Sequence, residues 1–191
     1  MSKPQILVVD CGSEKVGLIE QAVSEFGFEP WRVQLAKLAQ ASSADISGII
    51  VSGSPILFTE TEYSGYLKSL EFTRFGRVPA LGICFGHQIF GLLHGAKVFK
   101  GPDCRTDMAV EVLEKDTLFK GLESRLSLQE DHCEGISLPP DFVVLARSEK
   151  YEVEAMAHRN RPLFGVQFHP EASGTTGRNI LGNFLSLCRK D

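Results

Sequence analysis

Leu81-Gly82-Ile83-Cys84-Phe85-Gly86-His87-Gln88 places a cysteine between an apolar, strand-like run (80–83) and a helix-like run (85–94), with a glycine two residues to either side. A sharp strand-to-helix turn pushes its central side chain out beyond the end of a sheet, and it closes only where the flanking residues leave room that Cβ atoms would fill. The stretch therefore predicts an α/β sheet and, at Cys84, a nucleophile elbow of the G-x-S-x-G kind with sulfur replacing oxygen. The Phe85 backbone N–H, at the helix start, is aimed at the thiol, where it favours the thiolate and holds a developing oxyanion. Taken alone the stretch leaves a second reading open: Cys84 as a small buried hydrophobe, the usual fate of a free cysteine.

Outward from the elbow the pattern repeats. Apolar runs at 6–10 and 48–52 precede the one at 80–83, and helical patterns at 15–26 and 63–74 alternate with them. Strands that are apolar throughout, separated by amphipathic segments, predict a parallel sheet covered on both faces. Leu18, Ile19, Ala22, Val23 and Phe26 fall at helical spacing and would pack on it. Beyond residue 107 the character changes. Strand-like runs at 108–113, 142–146, 154–158 and 163–168 are joined by turns, as in an antiparallel extension, and a helix at 178–187 closes the fold. The expected architecture is one α/β domain over 1–191, with a mostly parallel, flavodoxin-like central sheet flanked by helices. Ligands in such sheets bind at the carboxyl ends of the strands, where Cys84 lies. Ser52-Gly53-Ser54-Pro55 follows the neighbouring strand, and its glycine turn can bring a second backbone N–H to the thiol.

Phe164-Gly165-Val166-Gln167-Phe168-His169-Pro170-Glu171 supplies what a cysteine nucleophile needs. Side chains of an extended segment repeat every second residue, so His169 and Glu171 can share a side, the carboxylate orienting the imidazole. Nucleophile, base and orienter then follow in the order Cys84, His169, Glu171. In isolation the His-Glu pair would read as a solvated surface turn; the two segments together outweigh that reading.

These two segments resemble the class I (triad) glutamine amidotransferase family, and the resemblance runs from the strand at 6–10 to the closing helix. Short stretches, Val153-Glu154-Ala155-Met156, Gly86-His87-Gln88-Ile89 and Leu118-Phe119-Lys120-Gly121-Leu122, look most like the glutaminases of the GMP synthase group. The resemblance implies hydrolysis of the glutamine side-chain amide through a Cys84 thioester. It implies oxyanion donors on the backbone of Gly53, Ser54 and Phe85, and substrate contacts at Gln88, Asp131, His132 and Cys133. Gln88 lies one helical turn beyond Cys84 and can face the same pocket. The sequence departs from the family pattern in three places. Ser54 and Cys133 stand where the family commonly has glycine, in Ser-Gly-Gly-Pro and in a Ser-His-Gly-Asp-like turn. Asp10-Cys11-Gly12-Ser13-Glu14 replaces a Gly-Gln-Tyr-like turn. A residue with a Cβ is less free to adopt φ > 0, and Glu134, next to Cys133, is expected on a face that meets a partner.

Composition limits the remaining choices. Lys and Arg number 20 against 24 Asp and Glu, a net charge of −4, which indicates neither a nucleic-acid stripe nor a polybasic membrane patch. No apolar run reaches bilayer length, and Met1-Ser2-Lys3-Pro4 leads into a strand and not a signal peptide, so the expected setting is cytoplasmic. Cys11, Cys84, Cys104, Cys133 and Cys188 form an odd set without C-x-x-C spacing, against a disulfide framework or zinc site. His87, His94 and His158 have no metal-ligand spacing and read as structural or surface residues; no catalytic metal and no cofactor are expected. The chain has no phosphate-binding glycine loop. Ammonia released here would therefore have to pass to a separate ATP-dependent synthetase. Two other readings stay open: a γ-glutamyl hydrolase needing no partner, and a binding or regulatory homologue with weak catalysis.

Overall fold

The computed structural model describes residues 3–40 and 45–189; Met1, Ser2 and the chain end at Asp191 lie outside them. Along the chain run β1 (Gln5–Asp10), α1 (Val16–Glu25), β2 (Glu29–Gln34), β3 (Ile46–Val51), α2 (Ser64–Leu70), β4 (Ala80–Ile83), α3 (Phe85–Leu93), β5 (Val98–Cys104), β6 (Asp107–Val112), β7 (Arg125–Gln129), β8 (His132–Ile136), β9 (Phe142–Arg147), β10 (Ala155–His158), β11 (Leu163–Val166) and α4 (Gly174–Leu187). One sheet has the order β2-β1-β3-β4-β11-β10-β9-β6-β7, and β5 and β8 form a separate two-stranded ribbon. Pairing is parallel from β2 to β11 and antiparallel from β11 outward.

The period of two along β1 explains the layers. Ile6 and Val8 join Val16, Ile19 and Val23 of α1 and Ile180, Leu181 and Phe184 of α4 in one core. Leu7 and Val9 point the other way, into a second core with Leu70 of α2 and Phe85, Ile89 and Phe90 of α3. Burying each such side chain stabilises the fold by about 2 kcal/mol relative to leaving it in water. α1 ends in a Schellman motif: Phe28 N–H bonds to the Val23 carbonyl and Gly27 N–H to that of Ser24, with Gly27 at φ 88°. That reversal returns the chain as β2 beside β1.

The alternating first half and the antiparallel extension follow the sequence expectation, with shifts at the ends. The helix expected over 63–74 is α2 followed by a 3-10 turn over Glu71–Arg74, and α4 begins one turn before residue 178. Four strands, β2, β5, β7 and β8, go beyond that expectation. β2 carries a proline and is mostly solvated because it lies at the sheet edge, where a missing N–H is tolerated; β5 is interrupted by Gly101-Pro102.

Candidate active site

The elbow stands at the carboxyl end of β4. Cys84 has φ 51° and ψ −104°, a conformation costing a non-glycine residue about 1–3 kcal/mol, held by its surroundings. Its N–H donates to the Val166 carbonyl at 2.8 Å, and its own carbonyl accepts the Gln88 N–H at 3.0 Å. The flanking glycines are demanded by close approach: a Cβ on Gly82 would lie 2.4 Å from the backbone of Gly86, and one on Gly86 would lie 2.4 Å from the Val51 carbonyl oxygen. Because α3 starts at Phe85, its first N–H groups precede the Gln88-to-Cys84 bond and face the nucleophile end of the helix, where they have no partner within the helix itself. The Phe85 ring turns away, stacking on Phe58.

His169 follows β11, its N–H bonded to the Gln129 carbonyl at 2.8 Å. Its Nδ1 is 2.7 Å from Glu171 Oε1, the two side chains being 4% and 0% exposed. The route differs from the expected strand alternation: Pro170–Ala172 is a 3-10 turn, and this turn brings the carboxylate back to the ring. The imidazole and Cys84 line the same cavity and interact electrostatically. Burial by itself lowers the His169 pKa; the hydrogen bonds and charges of Cys84 and Glu171 outweigh it and hold the ring up at about 10, the charged form being favoured by its partners. Gly53 packs against both partners, since a Cβ there would be 3.0 Å from His169 Cε1 and 3.6 Å from Cys84 Cβ.

A cavity of about 360 Å³ brings together Ser54, Cys84, Gln88, Asp131, His132, Cys133 and His169. Neither Ser54 nor Cys133 needs left-handed backbone: among the described residues other than glycine, only Cys84, Thr117 and Asp141 have positive φ. Residues 132–136 form β8 and not the expected turn, so Cys133 sits in extended chain. Glu134 is also placed differently from expectation. It is buried at 1% exposure, and its carboxylate accepts the backbone N–H groups of Phe58 and Thr59 at 2.9 and 2.8 Å, together with the Thr59 hydroxyl. It thereby ties the loop after Gly53 and Ser54 to β8. Gln88 Nε2 donates to the Glu134 carbonyl and to Gln167 Oε1, each at 3.1 Å.

Several residues at the site escape a reading of the sequence. Lys15 and Arg105 line the cavity and grip Asp131 at 2.8 and 2.6 Å. Asp131 is partly desolvated, which raises its pKa, yet the two cations more than reverse this and hold it at about 2. Glu130 and Glu154 lie buried behind His132. Lys15 reads in sequence as a helix start, and Glu154 is 22 residues from His132, so no local pattern joins them. His87 is fully buried and is held neutral, near 3, by desolvation, while the rings of His94 and His158 pack on Phe142.

The family described as glutamine amidotransferase class-I matches residues 7–187. A glutamine-hydrolyzing GMP synthase subunit from Pyrococcus abyssi is 40% identical over 188 residues, 96% of this chain and 98% of that protein. Its namesake from Methanosarcina barkeri is 34% identical over the full length of both. Among solved structures, a protein described as a GMP synthase subunit from Thermoplasma acidophilum superposes with a TM-score of 0.88 at 29% identity, over 98% of this chain and 95% of that one. A glutamine amidotransferase from Thermotoga maritima shares the fold, with a TM-score of 0.82 at 18% identity over all of both chains.

Proposed function

Since the chain belongs to the class-I glutamine amidotransferase family, we propose that it hydrolyses the glutamine side-chain amide and hands the ammonia to a separate, ATP-dependent synthetase that makes GMP. The observation that carries this reading is that Cys84 and His169 line one cavity of about 360 Å³ while Glu171, buried, holds the His169 ring at 2.7 Å. Glu171 takes the Nδ1–H, which leaves the other imidazole nitrogen for sulfur. With its ring held up at about 10, His169 already carries the proton that sulfur has given up, and sulfur attacks the amide carbon. The C–N bond then breaks as His169 returns that proton to the departing nitrogen, giving ammonia and a thioester. Water adds to the thioester, His169 taking its proton, and collapse releases glutamate and restores the thiol.

Backbone N–H groups of Gly53, Ser54 and Phe85 serve the oxyanion in both steps, each worth about 3 kcal/mol. Gln88, whose Nε2 is occupied by Glu134 and Gln167, offers the substrate its Oε1. The segment 131–133 holds the amino-acid end of glutamine, Asp131 through charge shared with Lys15 and Arg105. Among the described residues no helix is long and apolar enough to cross a membrane, and all five cysteines are free; a reducing cytoplasm suits a thiol nucleophile. The test is glutamate release by the purified chain, alone and with a synthetase that aminates xanthosine monophosphate. Turnover abolished by Cys84→Ala and stimulated by the synthetase is the expected result. Turnover that persists in Cys84→Ala removes the thioester, and release of free ammonia unaffected by any synthetase removes the coupling.

A further inference from the structure

Behind the cavity wall three ionisable side chains converge in the protein interior. Glu130 joins β7 to β8, His132 opens β8, and Glu154 directly precedes β10. Their exposures are 0, 4 and 1%, and one ligand atom from each lies within 4.8 Å of the others. His132 Nδ1 is 2.9 Å from the Glu134 carbonyl, which can only accept, so Nδ1 carries the ring hydrogen. The Nε2 of a neutral ring then points a lone pair at Glu130 Oε2, 3.0 Å away. Both oxygens of Glu130, Oε2 of Glu154 and Nε2 of His132 have no hydrogen-bond partner. Only Glu154 Oε1 is served, by the Ser148 hydroxyl at 2.6 Å.

Buried acceptors that face one another need a cation between them. The arginine whose charge reaches His132, Arg105, is already paired with Asp103 and Asp131. Protons are one answer: burial pushes both Glu130 and Glu154 up to about 8. Two protons would then be required, one between Glu130 and Nε2 and one between the carboxyl groups. A single divalent ion answers all the acceptors at once and leaves the cluster neutral.

We propose that Glu130, His132 and Glu154 form a buried structural site for one divalent transition-metal ion, held by an imidazole nitrogen and two carboxylates. This ligand set favours the zinc class over magnesium or calcium, which take oxygen-only shells. Metal–ligand bonds of about 2.0–2.2 Å in tetrahedral array separate neighbouring ligands by about 3.4 Å. The 3.0 Å contact of Nε2 with Glu130 is already near that separation, and the Glu154 oxygen lies within 4.8 Å of both. The ion would fasten β8, and with it the wall formed by residues 131–134, to the segment entering β10. The metal cluster stands whether or not the glutaminase reading holds, although His132 also lines that cavity.

The test uses the full chain carrying Cys84→Ala, so that the sulfur at the elbow does not compete for metal. Titration calorimetry with Zn²⁺ should show one equivalent bound and Tm should rise with Zn²⁺. Co²⁺ should give a d–d spectrum with no sulfur-to-metal charge-transfer band. Glu130→Gln and Glu154→Gln, each in that background, should weaken binding by more than about 10-fold and remove the Tm rise. The parent chain decides even where a glutamine variant fails to fold. No stoichiometric binding of Zn²⁺ or Co²⁺, a thiolate band in the cobalt spectrum, or binding that survives both substitutions overturns the site and leaves a protonated carboxyl pair in its place.

Discussion

Two buried imidazole–carboxylate pairs in this molecule have the same sequence spacing and opposite electrostatics. His169-Pro170-Glu171 and Glu130-Asp131-His132 each set a histidine two residues from a glutamate, at 2.7 and 3.0 Å, with all four side chains at most 4% exposed. Desolvation lowers both imidazoles. His169 is nevertheless held up at about 10 because Cys84 and Glu171 both favour its charged form. His132 is pushed below its ordinary value because desolvation, helped by the positive charges of His169 and Arg105, outweighs the Glu154 carboxylate and the Glu134 carbonyl that favour its charged form. What separates a base poised against a thiol from a neutral ring is therefore the third group, which the spacing of the pair does not reveal.

Removing that third group breaks the contrast most completely. Cys84→Ala should lower glutamine hydrolysis by about 10⁴-fold or more, as loss of the nucleophile in comparable triads does. In the same variant the His169 ring should titrate well below 10 by NMR, because the partner that most favours the cation is gone. A His169 resonance that still titrates near 10 would mean that Glu171 alone sustains it.

This contrast also marks how far the residues could be read without coordinates. The elbow was legible because Gly82, Cys84 and Gly86 encode one backbone event, and the strands beside it because both faces are buried and almost every residue is apolar. The His169–Glu171 contact was legible as a pair, though a 3-10 turn makes it and not strand alternation. β8 was not, since His132-Cys133-Glu134 carries polar residues whose partners, Glu154, Phe58 and Thr59, are remote in sequence. Glu134 illustrates the difficulty: a glutamate ordinarily reads as surface, and the Phe58 and Thr59 N–H groups with the Thr59 hydroxyl, remote in sequence, explain its burial.

Weakening the pair without removing the nucleophile has the next largest effect. Glu171→Gln should lower kcat by about 100-fold, through loss of ring orientation and of the charge that favours the imidazolium. The alkaline limb of kcat/KM, set by His169 losing its proton near pH 10, should move to lower pH. Stability carries the same signature. The folded pKa is raised above the unfolded value of 6.5, so the stabilisation is fully present below pH 6.5 and is lost as pH rises through about 10. Thermal melts between pH 6 and 10 should show this decline in the parent chain and a shallower one in Glu171→Gln.

Gly53→Ala sharpens the geometry and leaves every charge in place. The added methyl would stand 3.0 Å from His169 Cε1, so the ring must give by a few tenths of an ångström. Displacements of that size at a reacting centre should cost about 10-fold in kcat/KM, with the His169 pKa nearly unchanged. A variant with parental kinetics would show that the ring has slack against the loop that follows β3.

The smallest effect belongs to an acid–base pair on the surface, half open to water. Arg147 Nε meets Glu111 Oε2 at 2.8 Å across β9 and β6, with both side chains about half exposed, 52% and 51%. Water competes for both ions there, and holding two long side chains in one geometry costs entropy. Glu111→Gln should change stability by less than about 0.5 kcal/mol. Whatever difference remains should shrink further in 1 M salt, where screening acts over about 3 Å. The His169–Glu171 pair, shielded from counterions, should keep its pH signature at the same ionic strength. Equal salt sensitivity of the two pairs in chemical-denaturation curves would show that solvent reaches His169 as freely as it reaches Arg147, and the enclosure that distinguishes the nucleophile's base from a surface ion pair would be lost.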